Sequence, residues 1–169
     1  MSVAQSFRID GLDRAEVRLA ALIVGVEQRT PMMEGIALYL ESSTIDRFDD
    51  EVGPDGSAWK QSIRARQEGG KTLSDSGLLK GSIASIADND QVEWGSNLIY
   101  ARPHQDGATI TAKGGGRLKF KLPGGLGFRS VLAVTLPARP FLGINDMDEE
   151  QIIGVAEDYL ADIAPELER

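Results

Sequence analysis

Residues 83–96 read IASIADNDQVEWGS, and here the spacing of apolar residues changes from helical to strand-like. Apolar residues from Ile83 to Ala87 and from Gln91 to Ser96 flank Asp88-Asn89-Asp90, a cluster of turn formers, which is the pattern of a β-hairpin. Upstream of it the chain reads as helix. Asp13 with Glu16 has capping-box spacing, and Val17, Ala20, Ala21 and Val24 continue one face as far as Arg29. Leu19, Leu22, Ile23 and Val26 widen that face, so the helix is expected to make contact on more than one side. Thr30 as N-cap and Pro31 at the first helical position restart a second helix, expected to run to about Phe48. The stretch DDEVGPDGSAW, residues 49–59, then breaks helical spacing with Gly53, Pro54 and Gly56 and predicts a loop with a tight turn.

Residues 57–73 are polar and weakly patterned, and Ser74, Asp75 or Ser76 could cap a short helix from Gly77 to Lys80. Downstream of the hairpin, ATITA, the turn GGGR and LKFKL predict a second hairpin, with Pro123 to Gly127 as a flexible far loop. The apolar run SVLAVTL, residues 130–136, is expected to be the most buried strand. Asp146 with Glu149 forms another capping box, and Ile152, Ala156, Tyr159, Leu160 and Ile163 mark an amphipathic C-terminal helix. The order predicts an α+β fold, an antiparallel sheet of hairpins packed against two N-terminal helices and one C-terminal helix, with residues 1–169 as one domain.

Composition narrows the chemistry. No run of about 18 apolar residues is present, and MSVAQSFRID has neither a basic nor an apolar leader region, so no membrane partner and no Sec export are expected. With no cysteine and one histidine, disulfides and zinc sites drop out, and no cofactor is expected. The charge is unevenly placed. Residues 145–169 hold nine acidic residues against one arginine, a net of −8 that equals the net charge of the whole chain. Residues 107–144 hold Lys113, Arg117, Lys119, Lys121, Arg129 and Arg139 with no acidic residue. Both blocks could be ordinary solvated faces, or the basic block of one copy could meet the acidic helix of the next.

Two stretches suggest chemistry. ARQEGGKT, residues 65–72, has relaxed phosphate-loop spacing, but no buried strand precedes it and LSDSG follows in place of a helix, so a flexible basic loop is expected. YARPHQDG, residues 100–107, holds the one histidine, His104, near Asp106. No G-x-S-x-G nucleophile elbow accompanies it, and a spacing of two residues defines no triad, so a histidine bonded at the edge of a core is expected.

Taken in order, PDGSAW (54–59), SGLLKGSI (76–83), VEWGSN (92–97), YARPHQDG (100–107) and PARPFLGI (137–144) resemble the phage virion morphogenesis or tail completion family of Mu-like contractile-tailed phages and prophages. The resemblance implies a non-enzymatic structural protein of the virion neck, made in the host bacterial cytoplasm, which completes the tail and joins it to the head as an oligomeric ring. Head closure or tail termination in the same particle, or a hydrolase using His104, are the alternatives. Implied partners are further copies of the chain, the tail tube or a tail-terminator protein, and a head-tail connector or portal-side adaptor. Sequence-specific nucleic acid binding is not expected of so acidic a chain, though DNA may pass through the ring. The matching residues carry expected roles: Trp59 anchors the turn at 54–59, and Gly77 allows close approach while Leu78 faces the core. Arg139, in the segment that includes Phe141, meets carbonyls or a carboxylate and with His104 braces a loop that presents Tyr100 to a neighbour.

Overall fold

A computed structural model describes residues 12–163. Helix α1 spans Leu12–Glu27 and α2 Thr30–Asp50, separated by two residues. The side chains of Asp13 and Glu16, and with them the expected capping box, lie outside the described residues. Thr30 does not act as a cap; the helix starts there, and Arg29 before it keeps a right-handed helical backbone with no side-chain cap. The break is held from outside instead. Asn89 Oδ1, in the hairpin turn, accepts the Arg29 amide, and the Arg29 guanidinium pairs with Asp90.

The hairpin of residues 83–96 forms as expected: β1 (Ile83–Ala87) pairs antiparallel with β2 (Val92–Ser96), with Ala87 opposite Val92. One face rests on α2, where Trp94 Nε1 donates to Thr44 Oγ1 at 3.2 Å and Ser85 Oγ to Glu41 at 2.7 Å. The main core lies at the end of α2. Phe48 meets the rings of Trp59 at 5.4 Å and Phe141 at 5.2 Å, and Leu79, Ile83 and Ala101 close around them. Helix α5 (Asp146–Ile163) packs along α2 and α1, and Tyr159 Oη donates to the Gly25 and Gln28 carbonyls at the end of α1.

The α+β class stands, but the strands form three separate two-stranded ladders in place of one sheet. The second hairpin pairs differently from expectation. Of the remaining strands, β3 (Ala108–Thr111) pairs with β6 (Ala133–Leu136), and nested inside them β4 (Leu118–Lys121) pairs with β5 (Phe128–Val131). The glycines at 114–116 make a helical kink in the ladder, not the hairpin turn; that turn is Pro123–Gly127, where the Leu122 amide donates to Gly127. Residues 108–136 thus form a β-arm. SVLAVTL is in consequence not buried: Leu132 is 64 % exposed and neighbouring Phe128 77 %.

Other local readings change for stated reasons. Residues 63–68 are a helix, α3 (Ile63–Glu68), because Ser62 Oγ accepts the Ala65 amide at 3.1 Å and caps it. The helix expected over Gly77–Lys80 is instead a turn leading into a 3₁₀ segment at Lys80–Ser82. In it Leu79, not Leu78, faces the core, Leu78 being 65 % exposed. Gly77 adopts φ +74° with open space where a Cβ would sit, so backbone conformation and not close approach requires it. The C-terminal capping box is set one residue earlier than expected: Asn145 Oδ1 accepts the Asp148 amide and Asp148 Oδ2 accepts the Asn145 amide. Leu160 stands 45 % exposed beside the packed face of α5.

Candidate functional site

YARPHQDG is a short helix, α4 (Ala101–Asp106), with Tyr100 at its head, and not a loop. Its sequence is divided between three tasks. Ala101 enters the core, the His104 carbonyl accepts the Arg139 amide at 2.7 Å, and Gln105 grips the 137–144 segment. The Gln105 side chain accepts from the Phe141 and Leu142 amides at 2.9 and 3.0 Å and donates to the Leu142 carbonyl at 2.9 Å. Gln105 was not singled out in the sequence; the signal available was its place beside His104, one helical turn after a buried alanine.

The grip fixes the remaining expected site residues. Phe141 is fully buried, and Trp59 donates from Nε1 to the Pro140 carbonyl at 2.8 Å, tying the 54–59 turn to the same segment. Arg139 is 6 % exposed and donates from Nε to the Lys60 carbonyl at 2.7 Å. The rings of Tyr100 and His104 meet edge to face at 6.4 Å. Tyr100, His104 and Arg139 line a cavity of about 390 Å³ whose opposite wall carries Arg64, Asp75 and Ser76.

Electrostatics there are set by burial. Burial, with the nearby charge of Arg139, lowers the pKa of His104, so the imidazole is neutral at pH 7. Burial alone lowers that of Arg139, which stays cationic. Asp106 pairs with Arg102 at 3.4 Å and does not orient the imidazole, whose buried Nδ1 has no hydrogen-bond partner among the described residues. A triad therefore does not assemble around His104.

Nor does 65–72 form a phosphate cradle or a flexible loop. Thr72 is fully buried, its amide donates to the Glu51 carboxylate, and Lys71 Nζ donates to the Asp49 carbonyl at 2.7 Å. A carboxylate stands where a phosphate would be held. Among the described residues no group of three or more His, Asp or Glu side chains could hold a metal, and no helix is long and apolar enough to cross a membrane.

A second polar centre lies on the other side of the 137–144 segment. Arg47 donates to the Phe141 and Gly143 carbonyls at 3.1 and 2.7 Å and pairs with Asp148, both side chains being almost wholly buried. Asp148 also accepts from Tyr39 at 3.0 Å and Ser43 at 2.6 Å. Burial works to raise the Asp148 pKa. The hydrogen bonds from Ser43 and the Asn145 amide, with the charge of Arg47, outweigh it and hold the carboxyl below its ordinary range.

Fold and site define an α+β subunit whose polar residues are spent on fixing one segment, with a charged β-arm whose tip bonds back to the body where the Gly124 amide donates to Glu68 of α3 at 2.7 Å. The chain belongs to the phage virion morphogenesis family, whose model matches residues 10–161, and is thus a virion-associated protein with a part in phage morphogenesis. It is 34 % identical over 141 residues to Mu-like prophage FluMu G protein 2 of Haemophilus influenzae (strain ATCC 51907 / DSM 11121 / KW20 / Rd), covering 83 % of this chain and 85 % of that protein. No solved structure matches it.

Proposed function

We propose that this chain is a structural protein of the phage neck that completes the tail and joins it to the head as an oligomeric ring, with no catalytic task. Family membership supports the virion role, and one structural observation supports the ring: a single subunit carries two unlike, complementary surfaces. The β-arm exposes Lys113, Arg117, Lys119, Lys121 and Arg129 beside Phe128 and Leu132. Helix α5 exposes Glu150, Glu157 and Asp158 beside Ile153 and Leu160, and α1 beside it exposes Leu19, Ile23 and Val26. Unlike surfaces on one subunit make head-to-tail contacts, which close into rings when the rotation allows. An acidic lumen would let DNA slide through. At the ends of the ring, the partners are the tail tube or a tail-terminator protein on one side and a connector or portal-side adaptor on the other.

Particles from cells lacking the chain test this. Separate tails and DNA-filled heads are expected; tails of abnormal length would instead point to termination, and finished particles would refute the proposal. The contact itself is tested by charge exchange. Lys119→Glu/Lys121→Glu/Arg129→Glu and Glu150→Lys/Glu157→Lys/Asp158→Lys should each abolish self-association, and mixing the two should restore it. Wild-type assembly by either variant alone would refute the arm-to-helix contact.

A further inference from the structure

The cavity between α4 and α3 contains an imbalance that the neck assignment does not use. Arg139 is more than nine-tenths buried, yet only its Nε has a partner, the Lys60 carbonyl. Its two terminal amino groups make no hydrogen bond among the described residues, and no carboxylate lies within ion-pair distance of it. A guanidinium held in this way has its aliphatic stem and Nε fixed in the body while its terminal amino groups stay open to solvent at the cavity, and it retains the planar pair of donors that matches a carboxylate. At the same cavity His104 Nδ1 is a buried polar atom without a partner among the described residues.

We infer that this cavity is a receptor for a carboxylate, presented as an acidic side chain by a protein seated on this face. The charge count favours one negative charge. Across the cavity Arg64 is already paired with Asp75 at 3.3 Å and bonded to the Gly69 and Lys71 carbonyls, which leaves Arg139 as the uncompensated cation. Asp75, 78 % exposed, opposes entry of a dianion such as phosphate. The surroundings favour a protein as the bearer of that carboxylate. Leu78 and Ile99, each adjacent in sequence to a residue lining the cavity, are 65 % and 93 % exposed, and Tyr100 is 38 % exposed. An arginine and a partly exposed tyrosine lining one cavity are the residue types that dominate interface hot spots.

The single histidine makes the site directly readable. In labelled full-length protein the imidazole resonances belong to His104 alone, and the titratable or charged groups facing it are Tyr100, Arg139, Arg64 and Asp75. Acetate, added against chloride at constant ionic strength, should raise the His104 titration midpoint saturably, because it cancels the charge of Arg139. Arg139→Gln should weaken acetate binding by about tenfold or more, and Arg102→Gln, on the exposed side of α4, should not. Should Arg139→Gln fail to fold, the guanidinium resonances of Arg139 in the wild-type protein provide the same reading and should move with acetate. No response to acetate, a response that survives in Arg139→Gln, or a response to inorganic phosphate alone would each overturn the inference. The protein source is tested by incorporation of folded Arg139→Gln into particles, expected to fall about tenfold or more. Incorporation equal to wild type would overturn that part, and absence of wild-type chain from particles would instead refute the neck reading.

Discussion

Replacing Asp148 with asparagine removes one charge from a buried network and changes almost nothing in shape. The carboxylate takes bonds from Arg47, Tyr39, Ser43 and the Asn145 amide, so the substitution leaves the Arg47 guanidinium buried with only carbonyls and one hydroxyl for company. Breaking such a pair from one side costs about 3–5 kcal/mol. For a chain of this size each kcal/mol lowers the melting midpoint by about 2–4 °C, so a fall on the order of 10 °C is expected. The cost lies in the orphaned arginine, so Arg47→Met/Asp148→Leu should recover a large part of it. The pH dependence follows from the direction of the shift. A carboxyl whose folded pKa is lowered adds stability that is fully present above its unfolded value, about 3.9, and is lost as pH falls through the lower folded value. Urea melts of wild type and Asp148→Asn from pH 7 to 2.5 should therefore converge in acid. A neutral-pH difference under about 1 kcal/mol, or parallel profiles down to the lowest pH, would refute the reasoning.

Two further substitutions probe the packing. Leu79→Ala should cost about 2–4 kcal/mol in denaturant melts, while Leu78→Ala, at an exposed position, should stay within about 0.5 kcal/mol. Gly107→Ala places a Cβ 2.9 Å from the Ala138 amide nitrogen at φ +75°, so a lower melting temperature and a loosened arm base, seen as faster amide exchange at Leu136 and Ala138, are expected.

How far the sequence was legible depended on whether a decision was local. The α2 helix and the β1–β2 hairpin are written in spacing and turn residues, and both formed where expected. The arm was misread because GGGR and PGGLG are equally good turns, and only the pairing of residues 108–111 with 133–136 decides between them. Leu78 and Leu79 are adjacent identical residues, so a shift of one position exchanged core for solvent. Asp148 sits among six other acidic residues in α5, and what distinguishes it is an arginine 101 positions away. His104 drew attention for its chemistry, whereas Gln105 beside it carries the three bonds that hold the 137–144 segment.

The arm leaves the body at Gly107 and returns at Pro137, and the Arg139 amide bonded to His104 at 2.7 Å closes the gap at its root. Its two ends are neighbours, so the excursion between them can lengthen, shorten or change its charges without displacing any residue of the Phe48–Trp59–Phe141 core. Of all the parts described, this is the one that lineages could remodel to suit a new partner while inheriting the body unchanged.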